Sequence, residues 1–358
     1  MIAPVAYVRA MAGYALADLG DANAVSLAQN ESAYPASPLA IAAGQSALAG
    51  MPRYPDSDWA DLRRTIGKIL GLEPNRILCG AGSMELIGCL IRAFAGPGDE
   101  VLGTEYGYLF LRTAAAQAQA VHVKAAEDRM AVSVDALLAA VRPRTRIVFL
   151  CNPGNPTGTC IPNTEILRLR AKLPDTTLLV VDQAYGEFDA QDPSAIFALV
   201  DRGDTVVLRT LSKAYGLAGA RVGWGLFPPE IGAEVRKLLN PNNISVVSQA
   251  MATAAMRDQA YMRQVVAKTA ATRDQFATAL RAIGLRVPTS NTNFVLIGFR
   301  NAVEAKAADT KLRAAGLLAR SMGGYGLADC LRATIALPKD MRRALQTLTA
   351  FQENRDAN

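Results

Sequence analysis

The sequence predicts an α/β fold with a large domain, built on a mostly parallel seven-stranded sheet, and a smaller α+β domain. Short apolar, β-branched runs alternate with amphipathic stretches through the middle of the chain, which is typical of βαβ units around a parallel sheet. The pattern changes after Leu226, where two prolines precede longer helical stretches. A length of 358 residues suits two coupled domains better than one small module.

Seven apolar runs supply the predicted strands of the large sheet. They cover residues 76–79, 100–102, 121–124, 146–151, 177–182, 205–209 and 222–226. Apolar residues at helical spacing between these runs predict helices, of which the clearest are residues 83–94, 134–141 and 163–172.

The smaller domain is predicted from the last third of the chain. A helical pattern runs from about residue 246 to 282, a strand pattern covers residues 293–297, and a closing strand is expected near 330–336. Residues 1–30 lack a strand pattern, so we expect an arm that packs on the small domain or on a partner subunit. The expected domains are therefore residues 31–240 and 241–358.

Composition excludes several classes of function. The net charge is +6, but the lysines and arginines are interspersed with acids, which argues against a nucleic-acid-binding protein. No stretch approaches the roughly 18 apolar residues of a membrane span, and the start of the chain has no signal-peptide pattern. We expect a cytoplasmic protein that binds neither nucleic acid nor membrane.

Histidine and cysteine usage narrows the chemistry further. The only histidine, His122, lies in an alternating strand pattern and is predicted to be structural, which removes Ser-His-Asp hydrolysis and multi-histidine metal sites. The five cysteines form no CxxC pair, so reduced thiols are expected and no metal site is predicted.

Polar clusters follow three of the predicted strands. Asn155 follows the fourth strand, Asp182 and Tyr185 come at the end of the fifth, and Ser212 and Lys213 follow the sixth. Ligands of open parallel sheets bind beyond the carboxyl ends of the strands, so we expect these side chains to share one cleft.

The combination of an amine, a carboxylate, a phenol and an amide is what a pyridoxal phosphate site requires, although each group alone has an ordinary explanation as a helix cap, a turn former or a solvated charge. Lys213 would form the Schiff base and move the α-proton. Asp182 would keep the pyridine nitrogen protonated. Tyr185 and Asn155 would hydrogen-bond the phenolic oxygen, and Tyr106 would stack on the ring.

A phosphate cradle is predicted where a strand, a glycine-rich turn and a helix follow one another. Gly82 and Ser83 lie at that turn, and Ser212 and Arg221 would complete the cradle with a hydroxyl and a guanidinium. The alternative for this segment is a plain turn. No GxGxxG or Walker pattern occurs there, which argues against dinucleotides and nucleoside triphosphates.

Three segments together resemble the signature of a known family. They are Asn152-Pro-Gly-Asn-Pro-Thr-Gly158, Val181-Asp-Gln-Ala-Tyr185 and Arg209-Thr-Leu-Ser-Lys-Ala-Tyr-Gly-Leu-Ala-Gly-Ala-Arg-Val-Gly223. In order and spacing they are similar to the fold-type I pyridoxal-phosphate aminotransferases, and most similar to the histidinol-phosphate aminotransferase group. The resemblance implies pyridoxal 5'-phosphate as cofactor and the fold-type I architecture.

The same resemblance suggests further site residues. Tyr54 resembles the tyrosine that reaches the cofactor phosphate of the neighbouring subunit, which implies a homodimer with composite active sites. Asn30 resembles an asparagine near the substrate, Arg332 the arginine that clamps the substrate carboxylate, and Arg320 a residue at the distal end of the substrate. Without the resemblance, both arginines are equally well explained as surface charges.

The expected activity is therefore amino transfer, with glutamate and 2-oxoglutarate on one side and histidinol phosphate and imidazole-acetol phosphate on the other. Alternatives on the same scaffold are an aromatic amino acid or specialised-metabolite aminotransferase and a threonine-phosphate decarboxylase. An idle cofactor-binding protein is a further alternative, which the presence of Lys213 with Asp182 disfavours. Gln183, where the group usually has glutamate, and the altered segment 30–37 leave the substrate open.

Overall fold

Fourteen strands and thirteen α-helices make up the computed structural model, which describes residues 2–11, 13 and 24–356. Numbered in chain order, the strands are β1 Val25–Ser26, β2 Ile77–Gly80, β3 Glu100–Thr104, β4 Val121–Ala125, β5 Glu127–Asp128, β6 Ala131–Val132, β7 Thr145–Cys151, β8 Leu178–Asp182, β9 Thr205–Thr210, β10 Gly223–Leu226, β11 Phe294–Gly298, β12 Leu317–Leu318, β13 Arg320–Met322 and β14 Leu327–Thr334. The α-helices are α1 Ala6–Ala10, α2 Pro38–Ala47, α3 Ala60–Leu70, α4 Ser83–Phe94, α5 Phe110–Gln117, α6 Val134–Ala140, α7 Asn163–Lys172, α8 Ser194–Ala198, α9 Pro229–Arg236, α10 Val246–Arg257, α11 Gln259–Ala282, α12 Ala302–Ala314 and α13 Pro338–Asp356. Short 3-10 helices cover Leu48–Gly50, Pro74–Arg76, Gly186–Phe188, Leu199–Arg202 and Gly323–Tyr325. None of these described helices is long and apolar enough to cross a membrane.

A seven-stranded sheet forms the centre of the larger part, in the order β2-β10-β9-β8-β7-β3-β4. Neighbouring strands from β9 to β4 pair in parallel, and β10 is antiparallel to both of its neighbours. All residues of β8 and β9 are buried, as are those of β7 except Arg146, which explains their continuous apolar runs. The predicted α/β class and all seven predicted strands are confirmed.

The smaller part is built around an antiparallel sheet in the order β11-β14-β13 and a parallel pair of β1 with β12. Its core is separate from that of the larger part and contains Leu27, Phe276, Val295, Leu331 and Leu348. Because α11, α12 and α13 cover this core, the part has the predicted α+β composition.

The helical pattern predicted over residues 246–282 is two helices in the structure. The break lies at Asp258, whose carboxylate accepts a hydrogen bond from the backbone N–H of Tyr261 and so caps α11. A single helix was the wrong interpretation, because the apolar spacing continues across the cap and periodicity alone does not show the break.

The change from one core to the other falls within α11. Ala252 and Met256 of α10 and Met262 of α11 pack in the core of the larger part, whereas Phe276 and Leu280 of α11 pack in the smaller one. The boundary expected after residue 240 assigns α10 to the smaller domain, whereas α10 packs in the core of the larger part. The prolines before α9 begin a helix of the larger part and do not mark a change of domain.

The predicted arm of residues 1–30 is described only in part, because residues 1, 12 and 14–23 lie outside the described residues. Val25 and Ser26 pair with Leu317 and Leu318, and Leu27 is fully buried in the smaller core. The end of the predicted arm thus belongs to the smaller part, which is one of the two positions that the sequence analysis proposed for it.

Arg170 closes the end of α7 by bonding backbone carbonyls and is almost fully buried. Its Nη2 donates to the carbonyls of Leu173 and Pro174, both at 2.9 Å, and its Nη1 donates to the carbonyl of Thr177 at 2.7 Å. Leu173 and Thr177 are buried, so this guanidinium supplies hydrogen-bond donors to buried carbonyls of the turn between α7 and β8.

We expect Arg170→Ala to lower the free energy of unfolding by about 3 kcal/mol, because the buried carbonyls of Leu173 and Thr177 lose a charged donor. Arg168→Ala is the matched control on the same helix, since Arg168 bonds only the side chains of Asp135 and Glu165 near the surface. Urea denaturation followed by circular dichroism measures both variants. Equal losses in the two would contradict the assigned role of Arg170.

Candidate active site

A cavity of about 480 Å³ lies between the two parts, at the carboxyl ends of β7, β8 and β9. Residues from four regions line it: the ends of those strands with the turn after β9, the start of α4, the turn before α5, and the smaller sheet with the segment that follows β1. Ten of the thirteen site residues predicted from the sequence line this cavity: Asn30, Ser83, Asn155, Asp182, Tyr185, Ser212, Lys213, Arg221, Arg320 and Arg332.

Asp182 is the last residue of β8 and is only 3% exposed. Burial raises the pKa of its carboxyl to about 6, although the backbone N–H of Ala184, which donates to Oδ1 at 3.0 Å, and the charge of Lys213 oppose that shift. A carboxyl held in this way is stabilised by a cationic partner. The protonated nitrogen of a pyridine ring in the cavity is such a partner.

Lys213 lies in the turn after β9 and is half-buried. Its Nζ donates to the carbonyl of Gln29 at 3.3 Å and lies 6.0 Å from the ring centre of Tyr185. Burial, together with the positive charges of Arg332 and Arg221, lowers the pKa of the amine to about 8, although the charges of Glu31 and Asp182 oppose that shift. The amine is therefore partly neutral near pH 8, the state in which it acts as nucleophile or base.

Tyr185 is held by hydrogen bonding and aromatic packing. Its hydroxyl accepts a hydrogen bond from Nδ2 of Asn30 at 2.7 Å, and its ring meets Phe294 edge to face at 5.3 Å between centroids. Burial raises the pKa of the phenol above its usual range, so it keeps its proton and remains a donor. Asn30 is itself fixed to the smaller part, because its backbone N–H donates to Oγ1 of Thr334 at 2.9 Å.

Arg332 spans the cavity from β14. Its Nη1 donates to Oδ1 of Asn155 and its Nη2 to the carbonyl of Ala28, both at 2.7 Å. Its Nε is buried and has no hydrogen-bond partner among the described residues. Arg320 lies directly opposite Arg332 in the pairing of β13 with β14, so both guanidinium groups belong to the same wall. Two forked donors side by side suit an anionic ligand.

The predicted cradle forms at the start of α4. Gly82 has a φ of +81°, and a Cβ there would lie 2.3 Å from Nη2 of Arg221. A Cβ at Gly223 would lie 2.2 Å from the backbone nitrogen of Ser83. Arg221 donates from Nη1 to the carbonyl of Ala218 at 2.9 Å. Only glycine therefore lets the guanidinium and the first N–H groups of the helix approach one another, and this arrangement fits a phosphate group.

Three of the predicted residues do not line the cavity. Gly82 is the residue before α4, and its lack of a side chain leaves room for the guanidinium of Arg221. Tyr54 is 88% exposed and lies outside the cavity wall. Tyr106 packs beside the cluster of Leu296, Met322 and neighbouring residues, and Tyr108, two residues further along the same turn, lines the cavity. The stacking role of Tyr106 stays a prediction.

Sequence reasoning also missed several groups that line or support the cavity. Gln29 contributes a backbone carbonyl, which leaves no signal in side-chain chemistry, and Glu31 and Tyr325 come from segments without a strand-end pattern. Gly223 appears in the sequence analysis only as the end of a motif. The pairing of β10 with β2 brings Gly223 opposite Gly80 and so places it against the backbone of Ser83, which the sequence alone does not show.

Comparison with known proteins gives a consistent result. The family model described as "Aminotransferase class I and II" matches residues 22–348. The chain is 43% identical to a histidinol-phosphate aminotransferase of Jannaschia sp. (strain CCS1), covering 93% of this chain and 92% of the relative. It is 44% identical to a protein of the same name from Paramagnetospirillum magneticum, covering 91% of each chain.

Among solved structures, the histidinol-phosphate aminotransferase of Sinorhizobium meliloti, in complex with pyridoxal-5'-phosphate, superposes with a TM-score of 0.87 at 31% identity. The match covers 92% of this chain and 91% of that structure. The fold-type I architecture predicted from the motifs is confirmed by this likeness. By its sequence and its fold, the chain belongs to the class I and II aminotransferase family.

Proposed function

We propose that this aminotransferase uses pyridoxal phosphate to exchange an amino group between glutamate and imidazole-acetol phosphate, forming histidinol phosphate and 2-oxoglutarate, as a step of histidine biosynthesis. The observation that carries the proposal is the amine of Lys213 and the carboxyl of Asp182 in one cavity beside a cradle that only glycine permits. The names of relatives at 43% and 44% identity support the substrate pair. The cytoplasmic location expected from the sequence stays a prediction.

The residues of the cavity have distinct roles in this proposal. When bound, pyridoxal phosphate supplies an aldehyde and an electron-accepting ring. Lys213 offers its amine for attachment and afterwards moves the proton of the substrate's reacting carbon. Asp182 holds the proton of the ring nitrogen, and Tyr185 donates to the ring oxygen. Ser83, Ser212 and Arg221 bind the phosphate.

The charge of the cavity favours substrates with acidic groups. Four of its lining residues are cationic and two are acidic: Lys213, Arg221, Arg320 and Arg332 against Glu31 and Asp182. Glutamate and histidinol phosphate each carry an anionic group that a guanidinium fork can bind. The buried Nε of Arg332, which has no partner among the described residues, adds a donor for that purpose.

A substrate panel tests the proposal. We expect the purified enzyme to transfer the amino group of histidinol phosphate to 2-oxoglutarate, and Lys213→Ala to lower kcat by a factor of about 10⁴ or more while leaving the fold intact. Coupled detection of glutamate measures turnover. Turnover of phenylalanine but not histidinol phosphate would favour an aromatic aminotransferase, and release of CO₂ from threonine phosphate would favour a decarboxylase.

Attachment of the cofactor has a pH dependence set by Lys213. Because only the neutral amine attacks an aldehyde, we expect the attachment rate of pyridoxal phosphate to rise with pH, with an inflection near the pKa of about 8. Stopped-flow absorption of the cofactor-free protein between about pH 6 and 10 measures that inflection. A rate that still rises steeply at pH 10, as the ordinary lysine pKa of 10.5 would require, would contradict the assigned environment.

Two arginine variants separate the causes of that shift. Arg332→Gln removes a charge that lowers the pKa of Lys213. The inflection in the attachment rate of this variant should therefore move to higher pH. Arg320→Gln is the matched control from the neighbouring strand, because its charge is not among the causes of the shift, and its inflection should stay at the wild-type position.

We also propose that two chains form a homodimer in which Tyr54 reaches the cofactor phosphate of the neighbouring subunit. Helix α2 and the turn after it expose several large apolar side chains: Leu39, Ile41, Leu48, Met51 and Tyr54. Contiguous apolar groups of this kind indicate an interface. The exposure of Tyr54, which is 88%, is what a residue that acts on a second subunit requires.

Mixed dimers test the composite site. A dimer of one Lys213→Ala chain with one Tyr54→Ala chain contains one site with both native residues, so we expect about half of the wild-type activity at limiting pyridoxal phosphate. The Tyr54→Ala homodimer should bind the cofactor about 10-fold to 100-fold more weakly, because a bond to a charged group is lost. If Tyr54 served its own chain, the mixed dimer would have no complete site and would show no recovery.

A further inference from the structure

Arg209 lies on β9, four residues before Lys213, and its side chain is buried beneath the turn that follows β8. Its Nε and Nη2 both donate to Oε1 of Gln183, at 3.2 and 3.0 Å. Its Nη1 donates to Oε1 of Glu187 at 3.1 Å. One guanidinium thus joins both ends of the segment 183–187, which carries Tyr185 in its middle.

The same guanidinium also packs against the backbone of that segment. A Cβ at Gly186 would lie 2.5 Å from Cζ of Arg209, so this contact requires glycine. On another side, Cζ lies 5.4 Å from the ring centre of Phe197. The planar group is therefore held between an aromatic ring and the main chain, and its position determines where the segment 183–187 lies.

The charges of this cluster balance. Arg209 and Glu187 form an ion pair whose side chains are 7% and 8% exposed, and Gln183 adds a neutral amide oxygen. A glutamate at position 183 would place a second carboxylate beside a single guanidinium, leaving one buried negative charge next to Asp182. Glutamine keeps the two hydrogen bonds and avoids that charge.

The segment 183–187 in turn orients two groups of the active site. The backbone N–H of Ala184 donates to Oδ1 of Asp182 at 3.0 Å, and Tyr185 directs its hydroxyl to Nδ2 of Asn30. The hydrogen bonds of Arg209 go to Gln183 and Glu187, and Arg209 is not among the residues that line the cavity. These bonds connect Arg209 to both groups through the backbone of this segment.

We propose that Arg209 is a positioning residue: by binding Gln183 and Glu187 and packing on Gly186, it holds the Asp182 carboxylate and the Tyr185 hydroxyl in place for the cofactor. The proposal rests on the function proposed above. It assigns the neutral Gln183 a specific task, which is to accept two hydrogen bonds from a buried guanidinium without adding charge.

The test compares Arg209→Lys with the wild-type holoenzyme. An ammonium lacks the forked donors that reach both ends of the segment, so the bond of Tyr185 to the ring oxygen should weaken. We expect the pH midpoint of the absorption change of the bound cofactor to rise by about one unit. We also expect kcat to fall about 10-fold or more with little change in KM for glutamate, because the lost contact serves the reaction and not ground-state binding.

Arg170→Lys is the matched control, since Arg170 is another buried arginine of the same part but bonds backbone carbonyls far from the segment. It should lower the melting temperature without moving the absorption midpoint. Gly186→Ala gives an independent test if Arg209→Lys does not fold, because the added Cβ displaces the guanidinium without changing any charge. It should raise the midpoint in the same way.

A double-variant cycle identifies the route. In a Tyr185→Phe background, Arg209→Lys should shift the midpoint less than it does in the wild type, since the hydroxyl is gone and only the effect through Asp182 is left. Folded Arg209→Lys with a wild-type midpoint and kcat, or an equal shift in Arg170→Lys, would overturn the positioning role. Absence of any bound-cofactor absorption in the wild type would instead overturn the proposed function.

Discussion

Parallel pairing of β7, β8 and β9 brings the carboxyl ends of three consecutive strands of the sheet to one edge. Asn155, Asp182 and Lys213 lie in or just after these ends, and their side chains converge because the strands are neighbours and run in the same direction. The interior of the sheet is apolar, so these polar groups are held at the boundary between a dry core and an open cavity.

That boundary explains the electrostatics of the cavity. Burial disfavours the charged form of both central groups, so it raises the pKa of Asp182 to about 6 and lowers that of Lys213 to about 8. The two values approach one another near neutral pH, where a carboxyl must bind a cationic ring and an amine must exchange protons. Arg332 and Arg221 strengthen the effect on Lys213 and also supply the anion-binding groups of the cavity.

The smaller part completes the site through a few specific bonds. Asn30 contacts Tyr185 through Nδ2 and Thr334 through its backbone N–H, and Arg332 contacts Asn155 from β14. Each of these residues joins the smaller sheet to the carboxyl edge of the larger one. Beneath that edge, Arg209 holds the segment that carries Tyr185. The active groups are thus supported from both sides by buried hydrogen bonds, which restrict their geometry.

The sequence by itself determined the α/β class and the seven strands through apolar periodicity, and several cavity residues through strand-end polar clusters, because these patterns depend on local order along the chain. The family, and with it Asn30, Arg320 and Arg332, followed from the resemblance of three motif segments. Tertiary structure alone decided that Tyr108 and Tyr325 line the cavity, where α10 packs, and why Gly223 and Gly186 must lack a side chain. Those features arise from contacts between segments distant in sequence. Periodicity describes which face of an element is apolar, and it contains no information about what that face meets.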